Sequence, residues 1–156
     1  MQVSVRQSRA DELAWANARY AEIDFLASEA GDYLAVAEAD GVPAGLGRVV
    51  RLGDDVGELG GMLVFDGFRG GGVAGAIIAH LLNHAGLRRL YCLPFASLRP
   101  LYEKAGFTLD TNADAGADAD AVPIPEQIRR KHAWCNSRYL EPVLLMYRQA
   151  VNTTTC

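Results

Sequence analysis

The feature that most constrains this chain is a run of three glycines between an apolar segment and a helical pattern. The apolar residues 59–65 predict a strand, and Arg69-Gly70-Gly71-Gly72 then leads into an apolar helical run that ends at Ala85. Consecutive glycines ahead of a helix let backbone N–H groups converge on one point, where the helix N-terminus adds its partial positive charge. The pattern therefore predicts a phosphate site, and a pyrophosphate suits it best.

Two familiar phosphate motifs fit this run poorly. A P-loop needs Lys and then Ser or Thr after its last glycine, and the dipeptide Val-Ala stands there instead. Gly70, Gly72 and Gly75 satisfy the dinucleotide fingerprint G-x-G-x-x-G literally. That fingerprint should follow its strand directly and precede an acidic residue by about 20 positions. Four residues separate the predicted strand from Gly70, and residues 67–102 contain no Asp or Glu.

A third pattern, Arg-x-x-Gly-x-Gly/Ala, is filled by Arg69, Gly72 and Ala74. With the segment Leu-Tyr-Glu-Lys-Ala-Gly-Phe at 101–107, the chain resembles the GCN5-related N-acetyltransferase (GNAT) family over about residues 30–110. The resemblance implies acetyl-coenzyme A (acetyl-CoA) as co-substrate and no metal. The implied coenzyme-binding residues are Met62, Leu63, Val64, Arg69, Gly70, Gly71, Gly72, Val73, Ala74 and Gly75.

The order of elements agrees with the α+β fold that the resemblance implies, a mixed, mostly antiparallel sheet flanked by helices. Alternating or apolar runs predict strands starting at Val3 and at 33–39, 44–52, 59–65, 90–93, 107–109 and 143–147. Helical spacing predicts helices before Ile23, at 74–85, from Ser97 to 105, and at 125–134. Residues 110–122 are low in complexity and predict a mobile loop, and 151–156 predict a frayed tail.

Length and composition narrow the class of protein. A chain of 156 residues predicts one domain, 1–156, and a net charge of −4 argues against a nucleic-acid partner. The first ten residues have no apolar core of a signal peptide, and no apolar run is long enough to span a membrane. Three widely spaced cysteines fit reduced thiols, which predicts a cytoplasmic protein.

The resemblance also implies two catalytic roles. Tyr102 stands where the family often places the general acid that protonates the coenzyme A sulfur, and Glu58 stands where it often places the base. The alternatives are a core aromatic and a solvated carboxylate at a strand end. The family often has an Asn seven residues before the Tyr, but Phe95 stands there, which leaves polar contacts of the pantetheine arm to the backbone or Ser97.

Two groups of side chains suggest a metal site only at first sight. His80 and His84 are four residues apart, but they lack the Glu of a zincin motif and a third ligand, so solvated histidines near a helix C-terminus are expected. Asp110, Asn112 and Asp114 begin like a calcium loop, yet alanines occupy the positions of its Gly and its last Glu. A solvated acidic loop is expected there.

The cations near residue 130 leave two interpretations open. A solvated helix face is the usual one. The segment is also weakly similar to the C-terminal region of amino-acid-acetylating members of the family, in which case Arg129, Arg130 or Arg138 would pair with a substrate carboxylate.

The resemblance implies an N-acetyltransferase that acetylates a primary amine, with a small molecule such as an amino acid as the expected acceptor. A protein acceptor and a non-catalytic acyl-CoA-binding or sensing module are the alternatives, and a nicotinamide-dependent reductase is a third. Dimers are common in the family, so a homodimer is one expected assembly.

Overall fold

The computed structural model describes residues 1–110 and 123–150, and their seven strands form one mixed sheet in the order β1-β2-β3-β4-β5-β7-β6. The strands are β1 (Val3–Gln7), β2 (Tyr33–Ala39), β3 (Val42–Arg51), β4 (Val56–Val64), β5 (Arg89–Cys92), β6 (Thr108–Leu109) and β7 (Met146–Gln149). The helices are α1 (Leu13–Glu22), α2 (Val73–His84), α3 (Arg99–Lys104) and α4 (Glu126–Arg138), with short 3₁₀ turns ahead of α1 and α3. The predicted fold class is confirmed.

The predicted element boundaries differ from the structure mainly at two strands and at α4, which ends at Arg138, four residues after the predicted end at 134. β4 begins at Val56, three residues before the predicted start, because Val56–Glu58 pair in parallel with Arg89–Tyr91. The last strand begins at Met146 rather than 143, and Val143 forms only an isolated bridge with Phe95. The predicted tail, 151–156, and the predicted mobile loop after its first residue, Asp110, lie outside the described residues.

The chain divides into two compact units, of which the first comprises 1–51 and 59–86. Its strands β1, β2 and β3 pair antiparallel in sequence order, and β4 lies next to β3. Tyr20 of α1 packs with Leu46 of β3 in one apolar cluster. On the other side of β3, a Cβ at Gly47 would meet the Ile77 side chain of α2. Because successive strand residues point to opposite faces, the two helices cover opposite faces of these strands.

Helix α2 forms because an apolar stripe follows a glycine that caps it. Val73, Ile77, Ile78 and Leu81 recur at helical spacing and are buried. The helix begins directly after Gly72, whose φ of 81° is left-handed. Its sequence therefore places the glycine turn at the helix N-terminus.

The second unit comprises 52–58 and the described residues from Leu87 onward. β5 pairs antiparallel with β7, and β7 pairs antiparallel with β6. Ile128 of α4 packs with Tyr91 of β5 and with Leu145, just before β7. In the described ranges, no helix is both long and apolar enough to cross a membrane.

Candidate active site

The glycine turn presents an open backbone at the start of α2. Gly70 and Gly72 both have φ of 81°, which favours glycine. The first N–H groups of a helix have no carbonyl partner within it, so those that open α2 point away from the helix body. A Cβ built at Gly70, Gly72 or Gly75 would meet no heavy atom of the described chain within 4 Å. The turn therefore has donors and space for an anion at Gly70 and Gly72, whereas the exposed Met1 side chain lies against Gly71.

Arg69 adds a cation to this turn. Its guanidinium lies 3.4 Å from the Asp66 carboxylate, and the two side chains are 72% and 96% exposed. Such an exposed pair contributes little to stability and is easily exchanged for another anion. Arg69 is thus free to reorient towards a phosphate group.

In β4, the glycine just before the residues that the resemblance assigns to the coenzyme has a left-handed backbone conformation. Gly61 has φ of 59°, and its carbonyl accepts a 2.7 Å hydrogen bond from the Tyr20 hydroxyl. Arg48 stacks 4.7 Å from the centre of the Tyr20 ring and donates to the Ser28 hydroxyl at 2.7 Å. These residues hold the backbone at Gly61 in place, and the strand residues after it, up to Val64, are half-buried.

Sequence reasoning missed this support. Its only local signal is the pair Gly60-Gly61 inside an apolar strand pattern, which is typical of a bulge or of a close backbone approach. The roles of Tyr20 and Arg48 depend on tertiary contacts and leave no local signal.

A cavity of about 450 Å³ lies in the first unit beside the end of β4. It is lined by Trp15, Arg19, Glu22, Ile23, Pro43, Leu63, Val64, Phe65, Asp66 and Arg69. Three of these, Leu63, Val64 and Arg69, belong to the predicted coenzyme set. The Nε of Arg19 is buried without a hydrogen-bond partner in the described part of the chain. The cavity thus combines apolar walls with two ion pairs, Arg19–Glu22 and Arg69–Asp66. An anionic ligand group would bind here by replacing one of these carboxylates, and an apolar arm would lie along the apolar walls.

Tyr102, the predicted general acid, lies in the second unit on α3. Its side chain is only 3% exposed and packs edge-to-face against Phe107, with ring centres 5.8 Å apart. Burial raises the pKa of the Tyr102 phenol well above its usual range, and the neighbouring Cys92 raises it further. The phenol is therefore protonated throughout the physiological pH range.

Glu58, the predicted base, is buried rather than solvated. It is 6% exposed on β4, opposite Tyr91 of β5. The Lys131 ammonium of α4 lies 2.7 and 3.0 Å from its two carboxylate oxygens. The carboxylate is thus fully engaged by one ion pair.

The buried Cys92 lies in the same unit as both predicted catalytic residues. Burial is the main cause that raises the pKa of the Cys92 thiol, and the negative charge of Glu58 adds to it. Cys92 in turn acts on the pKa of Tyr102. All three groups thus belong to the second unit, whereas the predicted coenzyme residues belong to the first.

Comparison with protein-family models gives a match to the acetyltransferase (GNAT) family over residues 3–107. The chain belongs to the GNAT acetyltransferase family. A search of curated proteins finds no match.

Solved structures share the GNAT fold with this chain. N-acetylglutamate synthase from Neisseria gonorrhoeae, complexed with coenzyme A and N-acetyl-glutamate, is 21% identical with a TM-score of 0.67 over 97% of this chain and 36% of its own. Rv2747 from Mycobacterium tuberculosis, in complex with CoA and a second ligand, is 18% identical and has a TM-score of 0.70. The match covers 95% of this chain and 99% of Rv2747. A GNAT acetyltransferase from Elizabethkingia anophelis with acetyl-CoA bound is 17% identical and has a TM-score of 0.61. The match covers 95% of this chain and 98% of the other. This chain thus spans about a third of the length of the synthase.

The departure from the GNAT pattern at Phe95 has a structural role. The Phe95 ring packs edge-to-face on Tyr139 at 5.3 Å, and its backbone bridges to Val143. Ser97, named with the backbone as a source of polar contacts for the pantetheine arm, donates its N–H to the Glu141 carboxylate at 2.7 Å.

The cations of α4 lie in different surroundings. Arg130 is 80% exposed and bonds to Glu126 at 3.2 Å, and the Arg138 guanidinium lies 5.1 Å from the centre of the Trp134 ring. Lys131, which the sequence did not single out, is the cation that reaches the buried Glu58. Its signal is visible in retrospect: it continues the buried stripe of Ile128 and Cys135.

The histidines of α2 have local partners. His80 Nε2 lies 2.9 Å from the Tyr33 hydroxyl, and the His80 and His84 rings stack at 4.0 Å. Partial burial and, to a smaller extent, His84 lower the pKa of His80. Across the described ranges, no group of three or more His, Cys, Asp or Glu side chains is arranged to hold a metal ion.

Proposed function

We propose that this chain is an acetyl-CoA-dependent N-acetyltransferase that acetylates the primary amine of a small molecule such as an amino acid. The observation that carries the proposal is the open glycine turn at the N-terminus of α2, with Gly70 and Gly72 in the left-handed conformation, in a chain of the GNAT family. Solved structures with this fold contain CoA or acetyl-CoA.

The coenzyme would be held by backbone groups more than by side chains. The N–H groups of the glycine turn and of the first turn of α2 would take the pyrophosphate, and Arg69 would add a charge contact. Met62, Leu63 and Val64 follow the left-handed Gly61 on β4, and their backbone groups would align the pantetheine arm. Leu63 and Val64 also line the 450 Å³ cavity, which offers it an apolar wall.

Transfer requires a free amine and a protonated leaving group. Glu58 accepts a proton from the acceptor ammonium, and the neutral amine then attacks the thioester carbonyl. The C–N bond forms and the C–S bond breaks. Tyr102 donates its proton to the departing thiolate and regains one as the new amide nitrogen loses its extra proton. The sum is an N-acetylated product, free coenzyme A and one released proton, without an acetylated enzyme.

A buried phenol suits this task despite its raised pKa. The burial that raises the pKa of Tyr102 also raises that of the neighbouring Cys92 thiol. A coenzyme thiolate formed in such surroundings would likewise be poorly solvated and therefore more basic. The pKa values of the acid and of the leaving group are then better matched than a comparison of the buried phenol with a thiol in water suggests.

A second candidate is a non-catalytic acyl-CoA-binding or sensing module. One observation favours it. Lys131 contacts both oxygens of Glu58, so the carboxylate of the proposed base is already occupied by an ion pair. Such a module would need the glycine turn but neither Tyr102 nor Glu58.

Thiol release separates the two candidates. The purified chain is mixed with acetyl-CoA and a panel of L-amino acids and simple primary amines, and free coenzyme A is measured over time. An enzyme releases thiol in proportion to one or more amines. Tight binding of acetyl-CoA with no release above the buffer rate for every amine would support the sensing module instead.

Location and assembly belong to the same proposal. Cys92 and Cys135 are free thiols, which a reducing compartment such as the cytoplasm preserves. A homodimer is the assembly suggested by the family, and sedimentation velocity at micromolar concentration tests it.

A further inference from the structure

The contact between Lys131 and Glu58 stands out among the ion pairs of the structure. The Lys131 ammonium lies 2.7 and 3.0 Å from the two Glu58 oxygens, and the two side chains are 27% and 7% exposed. Glu58 is therefore deeply enclosed, while the lysine side chain still reaches solvent. The cation can leave this position without unfolding α4, whereas the carboxylate is fixed on β4.

Stability alone does not explain such a pair. The cost of removing two charges from water offsets most of their attraction, and apolar residues of similar size commonly stabilise a core as well or better. Lys131 also occupies a place on α4 where the pattern calls for an apolar residue, between Ile128 and Cys135, which are 1% and 6% exposed. A charged pair maintained at an inward position points to a functional role.

We infer that the Glu58–Lys131 pair recognises an acceptor that carries both an ammonium and a carboxylate, that is, an amino acid in its zwitterionic form. The inference rests on the proposed acetyltransferase function and names the residue that sets its substrate class. The acceptor ammonium replaces Lys131 at the Glu58 carboxylate. The displaced Lys131 ammonium binds the acceptor carboxylate, so each buried charge exchanges one partner for another.

Charge balance gives this exchange its selectivity. The pair has no net charge, and a zwitterion inserted into it leaves none. A simple amine would pair with Glu58 but leave the Lys131 ammonium without a counter-charge. A simple carboxylate would pair with Lys131 but leave the Glu58 carboxylate without one. An acceptor with both groups is thus favoured over an amine that has only one.

The neighbouring cation Arg130 of α4 does not share this role. Arg130 is 80% exposed and pairs with Glu126 one turn away, on the solvent side of the helix. It serves as a matched control because it lies next to Lys131 in sequence and carries the same charge. Lys131 itself is a specificity-determining residue, and Glu58 is the group that meets the amine.

The test compares kcat/KM for L-amino acids with kcat/KM for the amines of the same side chains that lack the carboxylate. The wild-type chain should prefer the amino acid. Lys131→Met should reduce that preference by about 10- to 150-fold, the range for one hydrogen bond to a charged group. The loss should be mainly in KM for the amino acid. Lys131→Arg should retain part of the preference, and Arg130→Met should retain all of it.

Folding is checked separately, since Lys131→Met leaves Glu58 buried without a partner. The double variant Glu58→Gln, Lys131→Met removes both charges and should fold if the single variant does not, with the same loss of preference. An unchanged preference in the folded variants would overturn the inference while the acetyltransferase function stands.

If no amine is acetylated at all, the proposed acetyltransferase function fails. Binding of amino acids to the chain then still tests whether the Glu58–Lys131 pair recognises them. Calorimetric titration with the same L-amino acids should then show binding to the wild-type chain, and at least tenfold weaker binding to Lys131→Met. No binding of any amino acid to the wild-type chain would overturn the inference on its own terms.

Discussion

The glycine turn can be tested with a pair of substitutions that the structure matches closely. Gly72 has φ of 81° and Gly41, in the turn between β2 and β3, has φ of 82°. A Cβ at either position would meet no heavy atom within 4 Å in the described chain. Gly72→Ala and Gly41→Ala therefore impose the same backbone strain, and neither creates a steric clash inside the protein.

The expected effects follow from this match. A non-glycine residue in the left-handed conformation costs about 1–2 kcal/mol, so both variants should lose about that much stability. In Gly72→Ala the new methyl group also occupies the open side of the proposed pyrophosphate site. Loss of one charge-assisted hydrogen bond corresponds to about 1.5–3 kcal/mol, or a 10- to 150-fold weaker affinity for coenzyme A.

The assay is isothermal titration of coenzyme A into wild type and both variants, with chemical denaturation to measure stability. Gly41→Ala should bind coenzyme A like the wild type. Equal affinity for wild type and Gly72→Ala, with the expected stability loss in both variants, would refute the placement of the pyrophosphate. Equal weakening in both variants would show that stability, rather than the turn, governs binding.

Four further predictions concern Gly61, an ion pair and the two proposed catalytic residues. Gly61→Ala should lower stability by about 3 kcal/mol, measured by denaturation, because its Cβ would lie 2.7 Å from the Tyr20 hydroxyl and its φ is positive. Glu12→Gln should cost about 1 kcal/mol near neutral pH. Bonding to Arg6 lowers the pKa of Glu12 from 4.5 to about 2, so this difference should be complete above pH 4.5 and vanish as pH falls through 2. Tyr102→Phe should lower kcat by about 10²–10⁴-fold at every pH, with little change in coenzyme affinity. Glu58→Gln should slow turnover most at low pH and be partly rescued at high pH, where the amine is already neutral; full activity of Tyr102→Phe would make the phenol a packing residue.

The sequence predicted most of the sheet because its signals are local. Alternating residues mark β2, and Gly72 and Gly86 bracket α2 where the helical stripe starts and ends. The early start of β4 was missed because Val56 and Glu58 gain strand geometry from their pairing with β5, about 33 residues further along the chain. No local pattern carries that information.

The candidate active site could be predicted only where the sequence contains a motif for it. The glycine turn has a backbone geometry that few residues besides glycine adopt, and that geometry is visible in the sequence. The partners of Glu58 and Gly61 are not, because Lys131 lies 73 residues from the first and Tyr20 lies 41 residues from the second. Glu58 was weighed against a solvated strand end, and the structure instead buries it against a lysine whose surroundings in the sequence resemble a solvated cationic run.

The central claim is that acetyl is transferred from coenzyme A to an amine without first resting on the protein. A single-turnover reaction with acetyl-CoA that carries ¹³C in the acetyl group, quenched over time and followed by mass spectrometry of protein and small molecules, tests it directly. The account predicts that the label leaves coenzyme A and appears in an N-acetylated amine at the same rate, with the protein mass unchanged throughout. Label that accumulates on the protein before it reaches the amine, or that remains on coenzyme A with every amine supplied, would contradict it.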